Sequence, residues 1–258
     1  MKKMKYAVTL LLGLSMLIMA SCTKEPKNEG GNNGNTYNGH EYVDLGLPSG
    51  TLWATCNVGA TTPEECGEYF AWGETTPKSS YTWENYKYGS YYDELTKYCC
   101  DANSGYNGFT DNLTTLQAID DAATINWGGG WHTPTQAQLE ELLRFTIQQV
   151  TYQQATNGQD TWDFPVGLTL TGLSQNNIYF PFRDLNYLGV YPDGIAAAYW
   201  TNTLAGYSDD SAVTLDLGFD IEHDEMMGRI NGQDRKRGLY IRPVCEPINN
   251  RVVSNAIK

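Results

Sequence analysis

The groups that could do chemistry in this 258-residue chain are three histidines, six cysteines and thirty acidic side chains. His40, His132 and His223 miss the His-Glu-x-x-His spacing that sets two imidazoles on one helical face. No Cys-x-x-Cys pair occurs either, so no zinc site is expected. No Gly-x-Ser-x-Gly elbow is present. Gly128-Gly129-Gly130 follows no strand and is bracketed by Trp127 and Trp131, which reads as a turn rather than a phosphate cradle. Glu64-Glu65, Asp120-Asp121, Glu140-Glu141 and Asp209-Asp210 are sequence neighbours. Neighbours do not face each other across a cleft, as a glycosidase pair must. Asp216, Asp220 and Glu222 share one face of an alternating strand; about 13 Å separates 216 from 220 and about 7 Å separates 220 from 222, so Asp220 and Glu222 could share a cation only with help from another loop. No metal and no cofactor is expected, and the chain reads as a non-enzyme.

Recognition chemistry is better represented. From Asp220 to Arg237 acids (Asp220, Glu222, Asp224, Glu225) give way to bases (Arg229, Arg235, Lys236, Arg237), and Tyr207, Asp209 and Asp210 occupy the preceding turn. A ring for an apolar sugar face beside acids for hydroxyl protons suits a glycan. The expected ligand-binding set is therefore Tyr207, Asp209, Asp210, Glu222, His223, Arg229 and Arg235. A second aromatic surface is available in the segment from Thr75 to Asn112, where Tyr81, Trp83, Tyr86, Tyr91 and Tyr92 crowd together with no helical or strand period. Those rings either cover a flank of the core or stack on a ligand. With 17 basic against 30 acidic residues, net −13, the surface repels phosphate backbones, and nucleic acid is excluded as a partner.

The elements that must position these groups follow from periodicity. Residues 42–58 alternate about the turn Pro48-Ser49-Gly50 and predict a hairpin. Thr114 with Gln117 forms a capping-box pattern ahead of Leu116, Ile119, Ala123 and Trp127, with Gly128 at the C-terminal cap. Thr135 with Gln138 opens a second helix whose face carries Leu139, Leu142, Leu143, Ile147 and Val150. The period then becomes two: 168–170, 178–182, 198–204, 213–221 and 239–244 predict strands, the last near an edge because of Pro243. A hairpin, two helices and a run of strands is an α+β pattern.

The N-terminus belongs to a different logic. Lys2, Lys3 and Lys5 precede the apolar run Ala7 to Ala20, too short for a comfortable membrane span. Residues 1–21 read as a signal peptide, 22–38 as a Gly/Asn-rich flexible tether, 39–247 as the folded domain and 248–258 as a loose tail. Met19-Ala20-Ser21-Cys22 resembles a bacterial lipobox, which implies cleavage before Cys22 and its acylation: a partner membrane reached through a lipid anchor. The other cysteines, Cys56, Cys66, Cys99, Cys100 and Cys245, are odd in number, so at least one stays unpaired within the chain, and no pairing is singled out.

Several strings carry a family likeness: Tyr42 through Ala54 (YVDLGLPSGTLWA), Asn57-Val58-Gly59-Ala60, Tyr69 through Glu74 (YFAWGE), Asp121-Ala122-Ala123, Trp127-Gly128, Trp131 to Thr135, Phe180-Pro181, Tyr199-Trp200 and Gly238 through Val244 (GLYIRPV). Together they resemble Bacteroidetes surface lipoproteins with a Fibrobacter succinogenes major paralogous type of domain, which is similar to C-type-lectin-like folds. The resemblance implies a mixed domain with two helices flanking short antiparallel sheets and with the first and last strands paired. It supplies no activity. The calcium-lectin tripeptides find only Glu246-Pro247-Ile248, after the final strand, and no calcium role is transferred. The functional expectation is an outer-membrane lipoprotein exposed on the cell surface. Its body would be a non-catalytic binding module for a glycan or a host or envelope protein. The alternatives are a structural or adhesin-tip component of a surface assembly and, third, an envelope enzyme acting on glycans.

Overall fold

The computed structural model describes residues 35–156, 161–182, 195–220 and 225–247, which fall within one compact unit, Gly34–Lys258. Cys22, Glu222, His223 and the tail after Pro247 lie outside the described residues. Strands β1 (Asn35–Tyr37) and β2 (His40–Asp44) form a hairpin whose turn, Asn38-Gly39, has positive φ at both positions, as a two-residue hairpin requires. Residues 35–38, expected in the tether, belong to this hairpin. The hairpin tip seats on the glycine run: Asn38 donates to the Trp127 carbonyl, Trp131 Nε1 donates to Tyr37 O, and the His40 ring stacks on Trp127 at 3.7 Å. A Cβ at Gly129 would meet Asn38 at 3.1 Å, so the run is a docking floor and not an anion cradle.

β3 (Leu52–Ala54) pairs with β2, which bears out the early hairpin. The first predicted helix starts later than expected. Thr114 and Leu116 are tied by backbone hydrogen bonds to residues 202–204, and a single 3₁₀ turn fills 118–120. α1 (Ala122–Trp127) begins only at Asp121, whose carboxylate accepts the N–H groups of Ala123 and Thr124. α2 (Gln136–Phe145) has the Thr135–Gln138 capping box as read. It ends at Thr146, whose hydroxyl donates to Leu142 O, so Ile147 and Val150 belong to a strand and not to the helical face.

Four long strands and one short one follow: β4 (Ile147–Thr156), β5 (Thr161–Thr171), β6 (Asn177–Pro181), β7 (Ile195–Leu204) and β8 (Ser211–Asp220). β9 (Glu225–Asp234) and β10 (Val244–Cys245) complete the chain. Three antiparallel sheets result, ordered β1-β2-β3-β10, β4-β5-β6 and β7-β8-β9. The fold is mixed and mostly β. The early and late strands share a sheet but do not pair with each other, because β3 stands between β2 and β10. The expected strand 239–244 is mostly irregular backbone, with only Val244 in β10.

One core gathers Trp72, Trp83, Tyr86, Tyr88, Tyr98, Trp127, Trp131 and Trp200. The other gathers Leu45, Trp53, Leu139, Leu142, Leu168, Phe180, Tyr199, Leu215 and Leu217. Aromatic bulk fills the first because the segment 75–112 has almost no regular structure to supply an aliphatic face.

Candidate ligand-binding surface

The site is built outward from a buried cation. Arg235 is fully buried just beyond β9. Its Nε donates to Tyr86 Oη at 3.0 Å, Nη1 to Tyr98 O and Asp209 O, and Nη2 to Lys97 O at 2.9 Å. The guanidinium lies 5.0 Å from the Trp72 ring centre and 5.3 Å from that of Tyr86. A planar cation with its donors on carbonyls and its faces on rings is a satisfied structural group. It ties together the turn before β8, the end of β9 and the aromatic segment.

Two carboxylates extend that frame. Asp209, buried, accepts the N–H groups of Cys100 at 2.7 Å and Asp101 at 2.6 Å. Asp111 accepts those of Tyr98, Cys99 and Leu113. Between them Tyr98 is held at φ 56°, a left-handed backbone that costs a bulky residue about 1–2 kcal/mol.

A third carboxylate, Asp120, is buried under Lys97 (2.5 Å) and Lys87 (3.1 Å) and also accepts the Tyr98 hydroxyl at 2.7 Å and that of Tyr88. Burial alone would raise its pKa. The hydrogen bonds from Lys97, Tyr88, Tyr98 and Lys87 overcome that and hold the carboxyl at about 2. Burial, then the neighbouring carboxylate, raises both phenols. Burial, with Asp209 beside it, carries the Cys99 thiol up to about 12, which keeps it protonated and unreactive.

On this frame sit exposed rings. Tyr91 and Tyr92 are about half exposed, with ring centres 4.5 Å apart, and Tyr106, Phe109 and Tyr207 are also exposed. The loop carrying Tyr91 and Tyr92 is closed by Thr96 N to Tyr88 O, Glu94 N to Tyr91 O and Ser90 Oγ to Glu94, and it is plugged by buried Leu95. Leu95 bonds Ser104 O and Tyr106 N, so Tyr106 rides on the same frame. Tyr207 lies over β9, its hydroxyl filling the space a Cβ at Gly232 would need. Asp209 joins the Tyr207 turn to residues 100–101, and hence to the segment that carries Tyr106.

The five described residues of the expected seven are divided between frame and surface. Tyr207 is exposed as expected. Asp209 and Arg235 are buried frame residues and cannot contact a ligand. Asp210 accepts the hydroxyls of Ser208 and Ser211 and gives its carbonyl to Arg235 N. Arg229 is exposed on β9 opposite Asp216. Glu222 and His223 lie outside the described residues. Asp216 is buried and takes hydrogen bonds from Thr214, Asn231 and Gln233, so it is no half of a cation site.

The alternative aromatic surface is split as well. Trp83 and Tyr86 are core, and Tyr81 is half-buried, donating to Tyr69 O; only Tyr91 and Tyr92 face solvent. Tyr106 and Phe109 were missed because they stand alone among small polar residues, where no period marks them. Cys56, Cys99, Cys100 and Cys245 carry free thiols.

Among the described residues no cluster of three or more His, Cys, Asp or Glu could hold a metal, and no helix is long and apolar enough to cross a membrane. No protein-family model matches the chain, no curated protein does, and no solved structure does.

Proposed function

We propose that this chain is a surface-anchored lipoprotein whose body is a non-catalytic binding module for a glycan or protein ligand, with a C-type-lectin-like arrangement of its mixed sheets. The observation that carries the reading is the contrast between frame and surface. Arg235, Asp209, Asp111 and Asp120 are consumed in holding irregular backbone still, and what they hold out to solvent is tyrosine. Rigid, half-exposed aromatic rings with a polar edge are the groups that bind by stacking at low entropic cost. The wider likeness to Fibrobacter-type paralogous domains supports the same class of protein without supplying a ligand.

The test is binding of the full-length protein to a glycan array and a panel of extracellular proteins, beside the variant Tyr91→Ala/Tyr92→Ala/Tyr207→Ala. The expected result is a selective ligand whose affinity falls tenfold or more in the variant. Melting should shift little, since exposed substitutions cost within about 0.5 kcal/mol each. Equal binding by both proteins would put recognition elsewhere.

A further inference from the structure

The exposed rings stand on three separate turns. Tyr91 and Tyr92, with ring centres 4.5 Å apart and a tilt of 42°, form one platform. Tyr106 and Phe109 flank a single turn closed by Phe109 N to Tyr106 O at 3.1 Å, and Tyr207 sits in the turn before β8. Exposures from 48% at Tyr92 to 72% at Tyr207, with 37% at Phe109, leave each ring a face for a ligand. The turns are tied to one another. Leu95 N donates to Ser104 O at 2.9 Å and Tyr106 N to Leu95 O at 2.8 Å. Tyr92, three residues before Leu95, therefore has its Cα within about 16 Å of that of Tyr106. Ser104 N donates to Asp101 O, while Cys100 N and Asp101 N donate to Asp209, two residues beyond Tyr207. Three ring stations are thus held on one frame. What accompanies them is small and polar. Asp101 Oδ1 accepts both the backbone N–H and the carboxamide of Asn103 at 2.9 Å, which fixes that amide at the surface. Asn107 is exposed at φ 52° between Tyr106 and Phe109. From Tyr91 to Asn112 the single basic side chain, Lys97, is engaged by Asp120, and the turn 205–210 has none.

We infer that the ligand is a neutral oligosaccharide of several sugar units, bound across these three stations without calcium. The inference rests on the binding-module reading and names the class of its ligand. Each tyrosine offers a flat apolar face with a hydroxyl at its edge, which matches the two sides of a sugar ring. Amides and carboxylates beside the rings give and accept hydrogen bonds with sugar hydroxyls. One sugar covers one station, so filling all three takes a chain. Asp111 and Asp209, the acids of the frame, are engaged by backbone N–H groups, so the rings and not a calcium ion carry the contact. An anionic glycan or a phosphopeptide meets acids on the ring-bearing segments, and their one lysine is already paired. A protein partner is anchored by side chains clustered at the centre of a patch from which water is excluded. Here the rings are divided among three turns with polar groups between them, which favours the sugar chain.

The experiment titrates full-length protein in detergent with homo-oligosaccharides of glucose, mannose, galactose and xylose, from the monosaccharide to the hexasaccharide, and with oligogalacturonate as the anionic control. For at least one neutral series the affinity climbs with length, by tenfold or more from the monosaccharide to the hexasaccharide. It is indifferent to chelator and, because the ligand is uncharged, to added salt. Tyr106→Ala, which lies outside the Tyr91→Ala/Tyr92→Ala/Tyr207→Ala variant, weakens hexasaccharide binding from a few-fold to about tenfold and leaves the melting curve in place. Four results overturn the inference while leaving the binding-module reading intact: equal affinity for one unit and six, preference for oligogalacturonate, loss of binding with chelator, and hexasaccharide binding that ignores Tyr106→Ala. A protein ligand from the extracellular panel whose affinity falls in both tyrosine variants, with no neutral series bound, does the same. Silence from every glycan and every protein alike overturns the inference together with the reading beneath it.

Discussion

At the residue scale the informative groups are charged side chains withdrawn from water. Arg235 and Arg242 are both fully buried with their donors on carbonyls, a phenol and an amide, so each cation is spent on fixing backbone and neither reaches solvent to meet a ligand. Asp120 is the anionic counterpart, and its behaviour with pH follows from its partners. Its folded pKa, about 2, lies below the ordinary value of 3.8. The stability it contributes is therefore fully present above about pH 4 and is lost as pH falls through about 2. Asp120→Asn removes the counter-charge of Lys97 and Lys87. Both lysines keep some water, so the cost should sit at or below the lower end of that for breaking a buried pair, about 2–3 kcal/mol at pH 7. Melting curves at pH 7, 4, 3 and 2 should show the gap between wild type and variant narrowing toward pH 2. A variant as stable as wild type at pH 7 would mean the lysine–tyrosine cluster does not hold the loop.

At the element scale the segment 239–245 is the tie of the molecule, although only its end is strand. Leu239 bonds to Phe70 in both directions, Tyr240 to Ala198 and Trp200, Ile241 O to Val58 N, Pro243 O to Ala54 N, and Val244 to His132 in both directions. Arg242 adds Asn57, Ala54, Thr55 and Tyr179. A chain ending at Gly238 loses all of these at once and should show no cooperative melt, whereas one ending at Pro247 keeps them and should melt like the full chain. A cooperative transition near full-length stability in the shorter form would contradict the role given to this segment. The same segment marks what can be read from sequence. Its apolar alternation was visible, as were the Thr135 cap, the strand at 178–182, the strand at 213–220 and the early hairpin, because each is decided by neighbours within a few residues. The late start of α1 was hidden because a distant strand captured Thr114 and Leu116 first. The helix reading of Ile147 and Val150 failed because Leu143, Ile147 and Val150 fit a helical face and a strand start equally well. Within the expected binding set, the burial of Asp209 and Arg235 was hidden because it is decided by distant partners, Cys100 and Asp101 for one and Tyr86, Lys97 and Tyr98 for the other.

At the scale of the whole molecule, the formal net charge of −13 favours neutral or cationic ligands and disfavours contact with anionic headgroups. Such a body needs a covalent reason to stay at a membrane, and Cys22 is the candidate. Twelve residues of sequence, 23–34, lie between Cys22 and β1. A single acyl chain binds only marginally, so firm anchoring requires that the thiol and the new amino terminus both be acylated. Cys22→Ser removes the acceptor without touching the described fold. The expected outcome is loss of metabolic acyl label, movement of the protein from the membrane pellet to the soluble fraction, and an unchanged melting curve. Retention of label in the variant would end the lipoprotein reading. Loss of label with continued pelleting would instead assign membrane association to a partner of the folded body, and the tyrosine variant would then be the one to release it.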